Sequence, residues 1–302
     1  MSGTNFILKT IMAINKQSKN YGILKICICV AISCLFLNNE VAAQIQIIFR
    51  GDDMGFSHSA NIAHIDAYKN GVVRSAEVIV PGPWFEEAVK LLNENPGLDV
   101  GVHLALTSEW SMLKWKPLTY APSLVDENGY FYPMIWPNEN YPGNALKEHD
   151  WKLEEVEQEL RAQIELAMKR IPQVTHFTGH MGCTNMDDEV ARLAEKLARE
   201  YHIEIVPSDH GFERLPSWAG NEFDQQQKLD RLKKVLKELK PGRYLTVSHP
   251  AYDNEETKNV NHIGYENVGA DRDAETKVLT HPEIAGLIEE LGIEVISYHQ
   301  IK

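Results

Sequence analysis

Along residues 45–297, short runs of β-branched and aliphatic residues alternate with longer segments whose apolar positions recur every three or four residues. The first run, Ile45-Gln46-Ile47-Ile48-Phe49, reads as a strand that ends at Gly51-Asp52-Asp53-Met54-Gly55. Ser57 is placed to cap a helix through Ala60, Ala63, Ile65 and Ala67 that stops at Gly71. The alternation then predicts strands over 72–80, 98–106, 174–178, 203–206, 243–248 and 293–297, with helices over 83–95, 151–170, 187–201, 225–239 and 281–291. Seven strands in sequential β-α repetition, without a Pro/Gly/Ser linker or an internal repeat, predict one α/β domain over 44–302 on a parallel sheet. Periodicity leaves open whether that sheet closes into a barrel or stays doubly wound. In both cases the reactive groups gather at the carboxyl ends of the strands.

Residues 1–43 depart from this pattern. Lys9, Lys16, Lys19 and Lys25 precede an apolar run over 26–37, and Val41-Ala42-Ala43 supplies the small residues a signal peptidase requires. The expectation is a signal peptide cut after Ala43, with export to a bacterial periplasm or the exterior. Twelve apolar residues fall short of the ~20 that cross a bilayer, so no membrane span is expected after cleavage. Of the four cysteines only Cys183 would remain, so a large core rather than a disulfide must stabilise the fold. The net charge of -13, with no basic block, argues against a nucleic-acid partner.

Polar residues interrupt the apolar runs at successive strand ends. Asp52 and Asp53 close the first strand, His103 breaks the third, His176 and His180 follow the fourth, and His249 precedes Pro250 after the sixth. Two imidazoles and a carboxylate with an open position make a common hydrolytic site for a divalent cation, which lowers the pKa of a bound water. A neighbouring carboxylate can then act as general base. Asp52 and Asp53 suit those two tasks because adjacent extended residues point in different directions. A paired Asp before glycine is otherwise a turn, and a strand His otherwise a packing residue. It is their recurrence at one face that singles out Asp52, Asp53, His103, His180 and His249.

These motifs resemble the YdjC/ChbG-like carbohydrate deacetylases. The match runs through Asp52-Asp53-Met54-Gly55, Gly101-Val102-His103-Leu104, Thr175-His176 with His180, His249-Pro250, and Arg272-Asp273 leading to Ile293-Glu294-Val295-Ile296-Ser297-Tyr298. The resemblance implies a parallel (β/α) barrel like the seven-stranded barrels of glycoside hydrolases and deacetylases, and one divalent metal ion, Mg2+ or Zn2+. It also implies hydrolysis of the N-acetyl group of an amino sugar in an oligosaccharide. By position, it assigns Asp53, His103 and His180 to the metal, Asp52 to the base and His249 to the acid. The chain departs from the family pattern at Arg50-Gly51, where Asn-Ala is frequent, and over residues 178–184, where further acidic and histidine residues are frequent.

The connection over 107–150 is long and aromatic, which marks it as a lid. Trp110, Trp115 and Trp136 are its candidate sugar platform; the competing expectation is that they only pack the loop. Arg50 and Arg272 are candidate substrate contacts; Arg50 could instead offset carboxylate charge, and Arg272, with Asp273 and Glu275, could orient the ligands from behind or form only an ion-paired surface. Cys183, three residues beyond His180, is expected to line the barrel rather than bind metal. Two other functions compete: a metal-independent glycosidase working through paired carboxylates, and a non-catalytic sugar-binding barrel.

Overall fold

The structure is a computed structural model in which residues 44–301 are described. The expected signal peptide therefore lies outside the described residues. Seven strands form one sheet in which every pairing is parallel: β1 (Ile45–Met54), β2 (Ser75–Val78), β3 (Asp99–Leu104), β4 (Val174–Gly179), β5 (Phe212–Arg214), β6 (Gly242–Ser248) and β7 (Glu294–Val295). The order is β4-β3-β2-β1-β6-β5, with β7 paired to the start of β1. The sheet curls into a partial barrel whose β4 and β5 edges are not paired to each other. Seven helices join the strands among the described residues: α1 (His58–Lys69), α2 (Phe85–Asn93), α3 (Leu153–Arg170), α4 (Asp188–Tyr201), α5 (Gln225–Glu238), α6 (Val268–Leu279) and α7 (Pro282–Glu290). None of these helices is long and apolar enough to cross a membrane.

Alternation along the strands sorts the side chains onto two faces. Ala76, Val78, Val100, Val102 and Leu104 face outward and pack with Leu92 of α2, Leu160 and Ile164 of α3, and Leu197 of α4. Ile47 and Phe49 do the same for Leu232 of α5 and Ile284 and Leu287 of α7. Burying each such side chain stabilises the fold by about 1.5–3 kcal/mol. Ser57 caps α1 by accepting a hydrogen bond from the Ala60 N–H at 3.0 Å, as its position in the sequence suggests.

Two elements differ from the sequence expectation. Residues 203–206 form no strand; only Glu204 makes an isolated antiparallel bridge, to His176. The fifth strand is instead Phe212–Arg214, three residues with a single apolar side chain. Helix α6 lies outside the helical ranges expected from the sequence, and it buries Asp271, Arg272, Glu275 and Thr276 alongside Val268, Ala274, Val278 and Leu279. Its charged residues face the site described next.

Candidate metal centre and active site

The first strand does not run straight into the site. Between Gly51 and Met54 the β1–β2 register shifts, and Asp53 adopts φ 73°, the left-handed region that non-glycine residues rarely occupy. This bulge aims Asp52 and Asp53 at the same place rather than to opposite faces. His103 Nε2 lies 3.3 Å from Asp53 Oδ1 and 3.9 Å from Asp52 Oδ2. The strain of a left-handed aspartate, of order 1–3 kcal/mol, is concentrated where the two carboxylates meet His103.

Asp53, His103 and His180 converge. Asp53 Oδ1 is 3.1 Å from His180 Nδ1, and the two imidazole nitrogens are 3.3 Å apart. All three side chains are buried, and Asp53 Oδ1 has no donor aligned on it. Donor atoms with these separations are what a single divalent ion with ~2 Å bonds requires. The residues therefore fit a metal.

The outward nitrogens of both histidines are also engaged. His103 Nδ1 is 2.7 Å from Thr178 Oγ1, and His180 Nε2 is 3.0 Å from Glu109 Oε2. Such contacts fix which nitrogen is free for a metal. Although burial opposes it, Glu109 and Asp53 push the His180 imidazole up to about 10. Burial likewise opposes ionisation of Asp53, yet Arg272 and the two imidazoles hold its carboxyl well below the usual carboxylate range.

Each carboxylate has its own arginine. Arg50 holds Asp52 in a two-pronged pair, Nε to Oδ1 at 2.7 Å and Nη2 to Oδ2 at 2.8 Å, and donates through Nη1 to the Tyr298 hydroxyl at 2.8 Å. Arg272 Nη2 donates to Asp53 Oδ2 at 2.8 Å, and its guanidinium lies 5.1 Å from the ring centres of both Phe56 and Trp110. Both arginines line the cavity beside the carboxylates they hold. The donors of Arg50 are spent on Asp52 and Tyr298, and one of those of Arg272 on Asp53.

An open cavity of about 500 Å³ covers these groups, and His249, Trp110, His262, Tyr265 and Glu275 complete its wall. The half-buried His249 is held through its backbone N–H, which donates to Glu275 Oε2 at 2.8 Å. Trp110 lies stacked on His262 with ring centres 5.5 Å apart. The other two tryptophans are elsewhere: Trp115 is buried behind His180, and Trp136 is 47% exposed beside Lys147. Of the proposed platform, only Trp110 borders the cavity. Cys183 is buried, its thiol directed at the Leu104 carbonyl oxygen, and burial pushes its pKa up to about 12. Sequence reasoning missed Glu109, whose only signal was a carboxylate two residues past Thr107 at the mouth of the lid.

A sequence profile described as YdjC-like protein matches residues 46–290. The chain belongs to the YdjC-like family. Among relatives in this family, carbohydrate deacetylase 2 of Listeria innocua is 31% identical, covering 85% of this chain and 98% of that protein. The carbohydrate deacetylase of Listeria monocytogenes serotype 4a is 30% identical, over 85% of this chain and all of the relative. A protein of Enterococcus faecalis described as a cellobiose-phosphate cleavage protein has a similar crystal structure. Its TM-score is 0.67 at 27% identity, covering 85% of this YdjC-like chain and 98% of the other.

Proposed function

We propose that this YdjC-like protein is a metal-dependent carbohydrate deacetylase that removes the N-acetyl group from amino sugars of an oligosaccharide. One observation carries the reading. Asp53 Oδ1, His103 Nε2 and His180 Nδ1 form a triangle with edges of 3.1–3.3 Å at the mouth of the barrel, with the Asp52 carboxylate beside it. The relatives named carbohydrate deacetylase match along nearly their whole length.

Asp53, His103 and His180 would hold a divalent ion, which supplies Lewis acidity to the acetyl carbonyl and lowers the pKa of a water. Asp52 is placed to take the proton of the attacking water. The Arg50 fork fixes both of its oxygens, so the base waits in one orientation, which is where general-base catalysis gains its ~10²–10⁴-fold. As the C–O bond forms and the C–N bond breaks, His249 donates a proton to the departing sugar amine, and acetate leaves. Trp110 offers an apolar edge to a sugar ring.

The glycosidase alternative needs a carboxylic acid kept protonated near neutral pH. Asp53 is held the opposite way by Arg272 and two imidazoles, which weighs against that role. The test is acetate release from oligomers of N-acetylglucosamine and N-acetylgalactosamine, with and without a chelator. Acetate that appears without new reducing ends and vanishes with chelator is expected; new reducing ends without acetate would favour the glycosidase, and metal binding without either product a sugar-binding barrel. Residues 1–43 remain proposed as an export signal, checked by whether the exported protein begins at Gln44.

A further inference from the structure

Behind the metal centre, polar groups run down the inside of the barrel. They sit in layers set by strand register: Glu77 of β2, Gly101 of β3 and His176 of β4 are neighbours in one layer, and His103 and Thr178 in the layer above. Thr178 Oγ1 is 2.7 Å from His103 Nδ1 and 2.6 Å from Glu77 Oε2. The other oxygen of Glu77 is 2.6 Å from His176 Nε2. Glu77 and His176 are completely buried.

We propose that Thr178 and Glu77 are positioning residues for the metal centre. Glu77 takes the single hydroxyl hydrogen of Thr178, so Thr178 Oγ1 can only accept from His103 Nδ1–H, and His103 turns an unprotonated Nε2 toward Asp53 and His180. A hydroxyl placed between an imidazole and a carboxylate transmits the acceptor character of the carboxylate to the ring, which selects one of two tautomers.

Three features support this assignment. Glu77 accepts from Thr178 on one oxygen and faces His176 Nε2 with the other: burial alone would raise its pKa, but His176 above all, with Arg50 and His103, holds it down at about 2. The His176 ring is itself clamped, stacked 3.5 Å from Tyr298 at an interplanar angle of 5°, with Nδ1 2.8 Å from Thr175 Oγ1. Finally, the carboxylate occupies space that only glycine leaves: a Cβ on Gly101 would lie 2.1 Å from Glu77 Oε2. A buried acidic side chain with fitted space, two partners and a line of hydrogen bonds to a metal-ligand candidate has a role that packing alone does not explain.

The inference rests on the metal reading, and the experiment separates the two. Zinc, cobalt, manganese and magnesium chlorides are titrated calorimetrically into the metal-free full chain and its variants, and the most tightly bound ion is used throughout. Thr178→Val keeps the side-chain shape and removes the hydroxyl; its Kd for the ion is expected to rise about 10–100-fold. Thr178→Ser restores the hydroxyl and should return Kd to within about threefold of the parent. In metal-free protein with 15N-labelled histidine, the His103 signal should move from the Nδ1–H tautomer toward a tautomer mixture in Thr178→Val alone. A parent chain that binds none of the four ions defeats the metal reading itself. A parent that binds, with Thr178→Val of unchanged Kd and unchanged His103 tautomer, overturns only the positioning role. Equal losses in the Val and Ser variants also overturn it, because shape rather than the hydroxyl would then be responsible.

Discussion

On its outer face β3 presents Val100, Val102 and Leu104 to the helices, whereas on its inner face the same strand presents Asp99, Gly101 and His103. The contrast extends to its neighbours. Outward, β2 carries Ala76 and Val78; inward, it carries Ser75 and Glu77. Both faces are buried, so burial does not separate them. What separates them is how each is satisfied: the outer face by non-directional contact with helices, the inner face by hydrogen bonds that each need one partner at one distance. The outer face should therefore tolerate exchange of one apolar residue for another, and the inner face should not tolerate loss of a single atom.

The largest expected effect comes from the inner face. Asp52→Asn keeps the size of the side chain but removes the proposed base, and should lower kcat about 10²–10⁴-fold with the bound-metal stoichiometry unchanged. Acetate release and elemental analysis on one sample check both halves. Loss of metal with loss of turnover would instead exchange the roles of Asp52 and Asp53.

The outer face should respond in stability instead. Leu160→Ala empties a fully buried site between α3 and the sheet and should cost about 2–5 kcal/mol, read as a lower denaturation midpoint with an unchanged slope. Activity per folded molecule should stay near that of the parent at low temperature. A large fall in kcat for this variant would mean that the two faces are coupled.

Gly101→Ala probes the boundary, since the position lies on the inner face but the change is one of volume. The new Cβ would sit 2.1 Å from Glu77 Oε2 and 2.6 Å from its Cδ, with strand backbone on both sides. Overpacking of this kind costs about 1–3 kcal/mol. Because Glu77 is what must move, metal affinity should fall as well, an outcome that thermal melts with and without the ion distinguish from simple destabilisation.

This division also accounts for what the sequence disclosed. The outer face follows an alternation of apolar residues, and it marked β1 to β4, β6 and most helices to within a few residues. Asp53, His103 and His180 were legible because each interrupts such a run at a strand end, and the family motifs order them. Glu77 interrupts β2 in the same way, yet it lies below the strand end, where nothing local distinguishes a working carboxylate from a misplaced one. Helix α6 is hard to read because its buried residues mix Val268, Ala274 and Val278 with Asp271, Arg272 and Glu275, whose partners Lys228, Asp53 and the His249 N–H lie far off in sequence. The convergence of Asp52 and Asp53 was hidden too, since alternation predicts that neighbours diverge and only the left-handed φ of Asp53 reverses this.

The smallest effects belong to the lid, where the comparison can be repeated between two tryptophans. Trp110 is 2% exposed, borders the cavity and flanks Arg272, so Trp110→Ala removes both the proposed surface for sugar and one of two rings beside the guanidinium paired with Asp53. Ring contacts of this type contribute about 0.5–2 kcal/mol, which predicts a Michaelis constant raised roughly two- to thirtyfold and a smaller fall in kcat. Trp136 is 47% exposed, away from the cavity, and its ring meets the Lys147 ammonium at 4.6 Å. Because Trp136 does not line the cavity, Trp136→Ala should leave the Michaelis constant for a short oligomer unchanged, and at an exposed position it should move stability by no more than about 0.5 kcal/mol. Equal effects from the two variants would place the sugar along the outside of the lid, and the cavity wall at Trp110 would then be a consequence of packing around Arg272 rather than a surface for substrate.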